Sequence, residues 1–123
     1  MQTERRRLGN EGEDLAAAYL ESKKYRILAR QAGIPRVGEI DLIAYDPRGG
    51  EIVFVEVKTR RDLRYGPPEE AVHPRKLLRL MRVAELWRMR MKLYDRPWRL
   101  DVVAIELVSE RPVIRHLEAV PLA

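Results

Sequence analysis

Two apolar stretches joined by a turn constrain the fold of this chain more than any other segment. The first covers residues 38–45 and the second residues 51–59, with the sequence Asp-Pro-Arg-Gly-Gly at residues 46–50 between them. Valine and isoleucine favour extended strands, and a short segment with one proline and two glycines is typical of a turn. The segment is therefore predicted to form a β-hairpin.

Three ionisable side chains interrupt this apolar hairpin. Asp41 lies in the first strand, and Glu56 and Lys58 lie in the second. A buried ionised group is costly unless it is paired or binds a metal. Side chains two positions apart point to the same face of a strand, so Glu56 and Lys58 share a face. With the turn centred near Arg48, Asp41 falls opposite residue 55 or 56 and therefore beside Glu56.

This arrangement predicts a metal site. Two carboxylates and a nearby backbone carbonyl are hard oxygen ligands that suit Mg²⁺. Such an ion would offset the repulsion between Asp41 and Glu56, polarise a phosphoryl oxygen and activate a water. Lys58 would orient that water or stabilise charge on the phosphate. The alternative is a buried ion pair in which Lys58 neutralises one carboxylate, although one lysine cannot neutralise both.

The remaining periodic segments predict the fold class. Helical periodicity covers residues 9–23, where Asn10 and Glu13 have the spacing of a capping box, and residues 75–93. Further strands are predicted at residues 25–30, 98–107 and 113–117, with a short helical turn at residues 69–72. This order predicts an α/β fold with an αβββαβ core, in which helices flank a mixed central sheet. The length of 123 residues predicts a single domain, residues 1–123.

Composition limits the other kinds of site. The chain contains no cysteine, which excludes disulfides, thiolate metal sites and cysteine nucleophiles. His73 and His116 share no metal-ligand spacing. Asp101 is predicted to be structural, either paired with an arginine or capping a neighbouring loop. No apolar run approaches the ~20 residues of a membrane span, and no signal peptide is recognised, so a cytoplasmic protein without membrane contact is expected. The net charge of +5 is compatible with a nucleic-acid partner.

The hairpin motifs and the element order resemble the PD-(D/E)XK nuclease superfamily, which has the restriction-endonuclease-like fold. Residues 38–44 (Gly-Glu-Ile-Asp-Leu-Ile-Ala) and 54–60 (Phe-Val-Glu-Val-Lys-Thr-Arg) are similar to the YraN-like bacterial family, which is related to archaeal Holliday junction resolvases. Ile40 stands where the superfamily name has proline. The similarity extends to Gly12-Glu13 in the first helix, to Lys76 in the second, and to residues 99–103.

The resemblance implies a divalent-metal-dependent endonuclease that hydrolyses phosphodiester bonds in DNA, with branched or otherwise structured DNA as substrate. Asp41, Glu56 and the Val57 carbonyl would bind Mg²⁺ or Mn²⁺, and Lys58 would be the catalytic lysine. Glu13 would match the additional acidic residue that resolvase-like members contribute from the first helix, as a catalytic residue and further metal ligand. A homodimer is implied as well, since those resolvases act as symmetric dimers. The alternatives are a nucleic-acid-binding protein without catalysis, or an accessory protein that binds another protein.

Basic side chains around the hairpin are the candidates for nucleic-acid binding. Arg60 directly follows the second strand and would contact a phosphate beside the scissile bond. Lys76 and a stripe formed by Arg75, Arg79 and Arg82 would follow a nucleic-acid backbone along the second helix. The alternative for each is a solvated surface charge, which is common in a chain with 35% charged residues.

Overall fold

The structure is a computed structural model that describes residues 3–121, with the side chain of Arg5 left out. This part of the chain contains two α-helices, α1 (Glu4–Ser22) and α2 (Pro74–Arg90), and a 3-10 turn (Pro68–Ala71) before α2. The strands are β1 (Arg26–Ile34), β2 (Gly38–Asp46), β3 (Glu51–Arg60), β4 (Trp98–Glu106) and β5 (Val113–Leu117). Within residues 3–121, no helix is both long enough and apolar enough to cross a membrane.

The five strands form one mixed sheet in the order β1-β2-β3-β4-β5. β1, β2 and β3 are antiparallel neighbours, β3 and β4 are parallel, and β4 and β5 are antiparallel. A parallel pair needs a crossover connection, which the segment containing α2 supplies between β3 and β4. The prediction of an α/β fold, with an αβββαβ core and helices flanking a mixed sheet, is confirmed.

The two helices pack on opposite faces of the sheet. Along β3, Val53 and Val55 join the core beneath α1, whereas Ile52 and Phe54 join the core beneath α2. This alternation follows from the two-residue period of a strand. Residues 52–55 of β3 are apolar on both faces of the sheet, and Glu56 is the first buried charged residue along this strand.

The register of the hairpin places Asp41 as predicted. β2 and β3 pair from Asp46 opposite Glu51 to Leu42 opposite Val55. One position further along the same register, Asp41 falls opposite Glu56. The turn and the apolar alternation therefore determine which charged residues meet at this end of the hairpin.

Two element boundaries differ from the predictions by four residues or more. α1 begins at Glu4 because the Thr3 side chain caps it, accepting a 3.1 Å hydrogen bond from the Arg6 N–H. The predicted capping box is wrong, since Asn10 and Glu13 both lie inside the helix. β1 continues beyond residue 30 to Ile34, because pairing with β2 holds this segment extended despite its weak strand propensity.

Candidate functional site

Asp41 lies where the pairing between β2 and β3 ends. Its Oδ2 atom accepts a 2.8 Å hydrogen bond from the backbone N–H of Val57. If the antiparallel pairing continued, this N–H would donate to a backbone carbonyl. Here the Asp41 side chain accepts the hydrogen bond instead, so the strand N–H is satisfied. This bond holds the Asp41 carboxylate beside the C-terminal end of β3.

Glu56 is a nearly buried carboxylate with an unsatisfied oxygen. Its side chain is 4% exposed, and Lys76 Nζ lies 3.2 Å from Oε2. The contact has ion-pair distance without hydrogen-bond alignment, and Oε2 accepts no hydrogen bond from the described residues. Burial, and then the adjoining carboxyl of Asp41, raise the pKa of Glu56 to about 8, while Lys76 opposes the rise. A buried carboxylate that adjoins a second carboxylate, and that Lys76 reaches from the solvent side, favours the binding of a further cation.

Helix α1 brings a third carboxyl group towards this site. Glu13 is 8% exposed, and Gln31 Nε2 donates to its two oxygens at 3.2 and 3.3 Å. Burial raises the pKa of Glu13, the hydrogen bond from Gln31 lowers it in part, and the charge of Asp41 raises it further. Gly12 explains the close approach of the helix, because a Cβ at this position would lie 1.9 Å from Thr59 Oγ1.

A cleft opens at the C-terminal end of β3. It has a volume of about 540 Å³, and its lining includes Gly9 of α1 together with Lys58, Arg60 and Arg61. Lys58 is half-buried, two residues beyond Glu56, and strand alternation places it on the same face. The Nε atom of Arg60 is buried and has no hydrogen-bond partner among the described residues. The cleft is therefore lined by basic residues of β3 and by Glu4 of α1, and Asp41, Glu56 and Glu13 are not part of its lining.

The basic residues of α2 are arranged differently from one another. Lys76 reaches Glu56, whereas Arg75 and Arg79 are exposed. The Arg79 side chain runs past the start of β2, where a Cβ added to Gly38 would lie 3.3 Å from its Cδ. The structure thus brings the three predicted carboxylates and both predicted lysines to one end of the sheet and leaves the two arginines on the surface. The chemical role of each residue stays a prediction.

A second group of ligand-type side chains was not found from the sequence. One ligand atom from each of Asp101, His116 and Glu118 lies within 4.8 Å of the others, so this group could hold a metal. Asp101 is buried, His116 is half-buried and Glu118 is exposed. Within residues 3–121 it is the one trio of such side chains that converges so closely, and the three carboxylates near β3 stand further apart. The available signal was the His-x-Glu spacing in and after β5, which places both side chains on one face.

Arginine already supplies positive charge to this second group. Arg99 pairs with Asp101 and with Glu118, in each case at 3.0 Å, which confirms the predicted pairing of Asp101 with an arginine. Although burial alone would raise the pKa of Asp101, hydrogen bonds from His116, the Ala119 N–H and Arg99 lower it. The group therefore resembles a buried ion-pair network more than an open cation site.

The same network extends to the end of the hairpin. Arg99 also pairs with Asp46 at 3.0 Å, and hydrogen bonds from Arg48 hold the pKa of Asp46 well below its usual range. The Tyr25 hydroxyl accepts hydrogen bonds from both arginines, at 2.7 and 2.8 Å. These contacts connect β2, β4 and the segment after β5. Glu56 is not part of this network.

Comparison with known proteins shows one family. The model of the family described as "Uncharacterised protein family UPF0102" matches residues 12–105. This range contains the carboxylates and lysines near the end of β3 but neither His116 nor Glu118. A UPF0102 protein of Symbiobacterium thermophilum is 52% identical over 101 residues, which cover 82% of this chain and 83% of the relative. A UPF0102 protein of Geobacter sulfurreducens is 47% identical over 111 residues, covering 89% and 84%.

One solved structure is similar at a lower level. It is described as "Structure of EndoMS-dsDNA2 complex", and it is 22% identical with a TM-score of 0.39. The alignment covers 75% of this chain and 34% of that chain, so this chain spans about a third of that protein. A likeness of this degree does not identify an activity.

Proposed function

The chain belongs to the uncharacterised protein family UPF0102, and from this premise we propose that it is a divalent-metal-dependent endonuclease acting on DNA. Membership confirms the family expected from the hairpin motifs, but it does not supply an activity. The observation that carries the proposal is the paired carboxylates: Asp41 is fixed by the Val57 N–H, and Glu56 is buried with an unsatisfied oxygen. Lys76 supplies one positive charge to Glu56 from the solvent side, and two adjoining carboxylates favour a further cation between them.

The residues present fit such a cation. Asp41 and Glu56 adjoin each other, and the backbone carbonyl of Val57 belongs to the same stretch of β3. An all-oxygen donor set of this kind suits Mg²⁺ or Mn²⁺. Asp41, Glu56 and the Val57 carbonyl would hold the ion, and Glu13 would contribute from α1.

The ion, when bound, would supply Lewis-acid stabilisation of phosphate charge and acidify the attacking water. Lys58 lines the cleft and follows Glu56 by two residues in β3. Its ammonium would donate to a phosphate oxygen and stabilise the charge that develops there. Arg60 lines the same cleft and would bind a neighbouring phosphate. Attack by water forms one phosphorus–oxygen bond and breaks another, which leaves a phosphate monoester and a hydroxyl.

A cleavage assay with a panel of DNA structures tests this proposal. Flaps, four-way junctions, single strands and duplexes are incubated with the protein in Mg²⁺, Mn²⁺ or EDTA. We expect cleavage only with metal, and a loss of roughly 100-fold or more in the Asp41→Asn and Lys58→Ala variants, because each lacks a group that stabilises the transition state. The matched control is Glu39→Gln, since Glu39 is an exposed carboxylate on the same strand as Asp41.

The other outcomes separate the rival functions. Cleavage that is unchanged in Asp41→Asn and Lys58→Ala would show that the site is wrong. Salt-sensitive DNA binding that survives Asp41→Asn, with no cleavage in any metal, would favour the nucleic-acid-binding protein without catalysis. Metal-dependent cleavage that is lost in His116→Gln but kept in Asp41→Asn would place the metal in the second group. Junction preference in the panel, with light scattering, tests the branched substrate and the homodimer that the resemblance implies.

A further inference from the structure

The ion pair between Lys76 and Glu56 connects α2 to the candidate site. The Lys76 ammonium is 3.2 Å from Glu56 Oε2, the oxygen that accepts no hydrogen bond from the described residues. The two partners differ sharply in exposure, since the Glu56 side chain is 4% exposed and the Lys76 side chain 46%. The positive charge thus reaches a buried carboxylate from the solvent side, on a long and flexible side chain.

The position of Lys76 in the first turn of α2 favours an anionic partner. Lys76 lies in the first turn of the helix, where no acidic residue is present and where His73 Nδ1 caps the Arg75 N–H at 3.1 Å. The N-terminus of a helix carries partial positive charge, which disfavours a lysine there. Glu56 supplies the compensating negative charge in the structure, and a phosphate group would supply it equally well.

A divalent cation and the Lys76 ammonium cannot both be bound by the same carboxylate oxygen without strong repulsion. Glu56 is fixed in the core, whereas half of the Lys76 side chain is already in solvent. The lysine is therefore the partner that moves. Its stem keeps the displaced ammonium at the mouth of the site, where the phosphate backbone of a substrate would lie.

We propose that Lys76 is the counter-ion of Glu56 in the metal-free protein and a phosphate ligand in the metal-loaded protein. This inference rests on the proposed function, because it uses the metal site at Asp41 and Glu56. Metal binding releases Lys76, and the released ammonium strengthens the binding of DNA. The two binding events are coupled, and by linkage each increases the affinity for the other.

Binding of Mn²⁺ to variants of α2 tests the first half of the proposal without any activity measurement. Mn²⁺ is titrated at pH 8.5, above the pKa of about 8 that Glu56 has in the fold, so that the carboxylate is mostly ionised and can pair with Lys76. No DNA is present, and the free ion is counted by electron paramagnetic resonance. Loss of a half-exposed competing ion pair should tighten Mn²⁺ binding roughly three- to tenfold in Lys76→Ala and in Lys76→Gln. Arg75→Ala removes the same charge from the adjacent exposed position and should change the affinity by less than about twofold.

DNA binding tests the second half. The probe is a four-way DNA junction, again at pH 8.5, and all proteins carry Lys58→Ala so that the DNA stays intact. With Mn²⁺, adding Lys76→Ala should weaken binding roughly fivefold or more and lower the salt dependence by about one phosphate contact. In EDTA, where Glu56 holds the lysine, the same change should weaken binding by less than about twofold.

Three results would overturn the proposal. Mn²⁺ affinity in Lys76→Ala equal to that of Arg75→Ala would show that Lys76 does not compete for the site. An equal loss of DNA affinity in EDTA and in Mn²⁺ would make Lys76 a permanent phosphate contact. If the native protein binds no Mn²⁺, the proposed function is wrong as well. If Asp41→Asn abolishes Mn²⁺ binding and Lys76→Ala leaves it unchanged, only the role of Lys76 is wrong.

Discussion

Replacing Glu56 by glutamine should change how the stability of the metal-free protein depends on pH. Burial and the adjoining Asp41 raise the pKa of Glu56 from 4.5 to about 8 in the folded protein. A carboxyl group with a raised folded pKa contributes stability that is fully present below its unfolded pKa and is lost as pH rises through its folded pKa. The free energy of unfolding should therefore fall between about pH 4.5 and about pH 8, and Glu56→Gln should remove most of this fall.

The size of the effect follows from the pKa shift. Each pKa unit corresponds to about 1.4 kcal/mol, so the shift of Glu56 would amount to about 5 kcal/mol in full. The measured loss should be smaller, about 2–3 kcal/mol, because relaxation and water penetration around the ionised carboxylate reduce the cost of burying it. A weaker slope of the same sign should remain in Glu56→Gln, because burial also raises the pKa of Glu13.

The assay is urea unfolding in EDTA from pH 5 to pH 9, followed by the fluorescence of Trp87 and Trp98. Glu39→Gln is the matched control, since it removes an exposed carboxylate from the same hairpin and should parallel the native curve. Mg²⁺ or Mn²⁺ should restore stability at high pH in the native protein and not in Glu56→Gln. If the native protein and Glu56→Gln lose stability equally between these pH values, Glu56 is not held protonated in the fold and the reasoning is wrong.

Three further outcomes are expected. Gly12→Ala would place a Cβ 1.9 Å from Thr59 Oγ1, and urea unfolding should show a loss of roughly 1–3 kcal/mol from overpacking. Arg99→Met leaves Asp46 and Asp101 without their shared partner, so thermal unfolding should show a loss of about 3–5 kcal/mol. Because the pKa values of both aspartates are lowered in the fold, the stability that they contribute should be present above their unfolded pKa, near pH 4, and be lost as pH falls through the folded pKa. Calorimetry from pH 2 to pH 5 measures this loss of stability at acid pH, which should be smaller in Arg99→Met.

Each substitution has a matched control. Gly9 lies in the same helix with no atom within 4 Å of an added Cβ, so Gly9→Ala should be neutral or stabilise by up to about 1 kcal/mol. Equal effects at Gly9 and Gly12 would contradict the close approach of α1 to β3. Arg111 is exposed, and Arg111→Met should change stability by less than about 0.5 kcal/mol. If Arg99→Met is as stable as Arg111→Met, or if it loses stability at acid pH as much as the native protein does, the ion-pair network contributes nothing to stability.

The hairpin and its charged end could be predicted from the sequence because both depend on local signals. A turn segment between two apolar strands determines the register, and the register places Asp41 opposite Glu56. The order of the elements then limits the sheet to a mixed arrangement with helices on its faces. The spacing of Glu56 and Lys58 follows from strand geometry alone.

The remaining features depend on contacts between segments that are distant in the chain. The partner of Glu56 is Lys76, which reaches it only after a loop and a 3-10 turn bring α2 against the sheet. Arg99 forms ion pairs with carboxylates of β2, β3, β4 and the segment after β5. No rule of sequence spacing predicts such a set of partners. The start of α1 depended on one capping hydroxyl at Thr3, which apolar periodicity does not detect.

The hydrogen bond between Asp41 and Val57 gives one side chain two separable duties. Its oxygen completes the backbone bonding of the strand that presents Glu56 and Lys58, and its negative charge is available to a cation. Asparagine at position 41 keeps an acceptor for the N–H and removes only the charge, whereas alanine would also leave a strand donor unsatisfied. The two substitutions together therefore measure the electrostatic and the architectural contributions of the same residue independently.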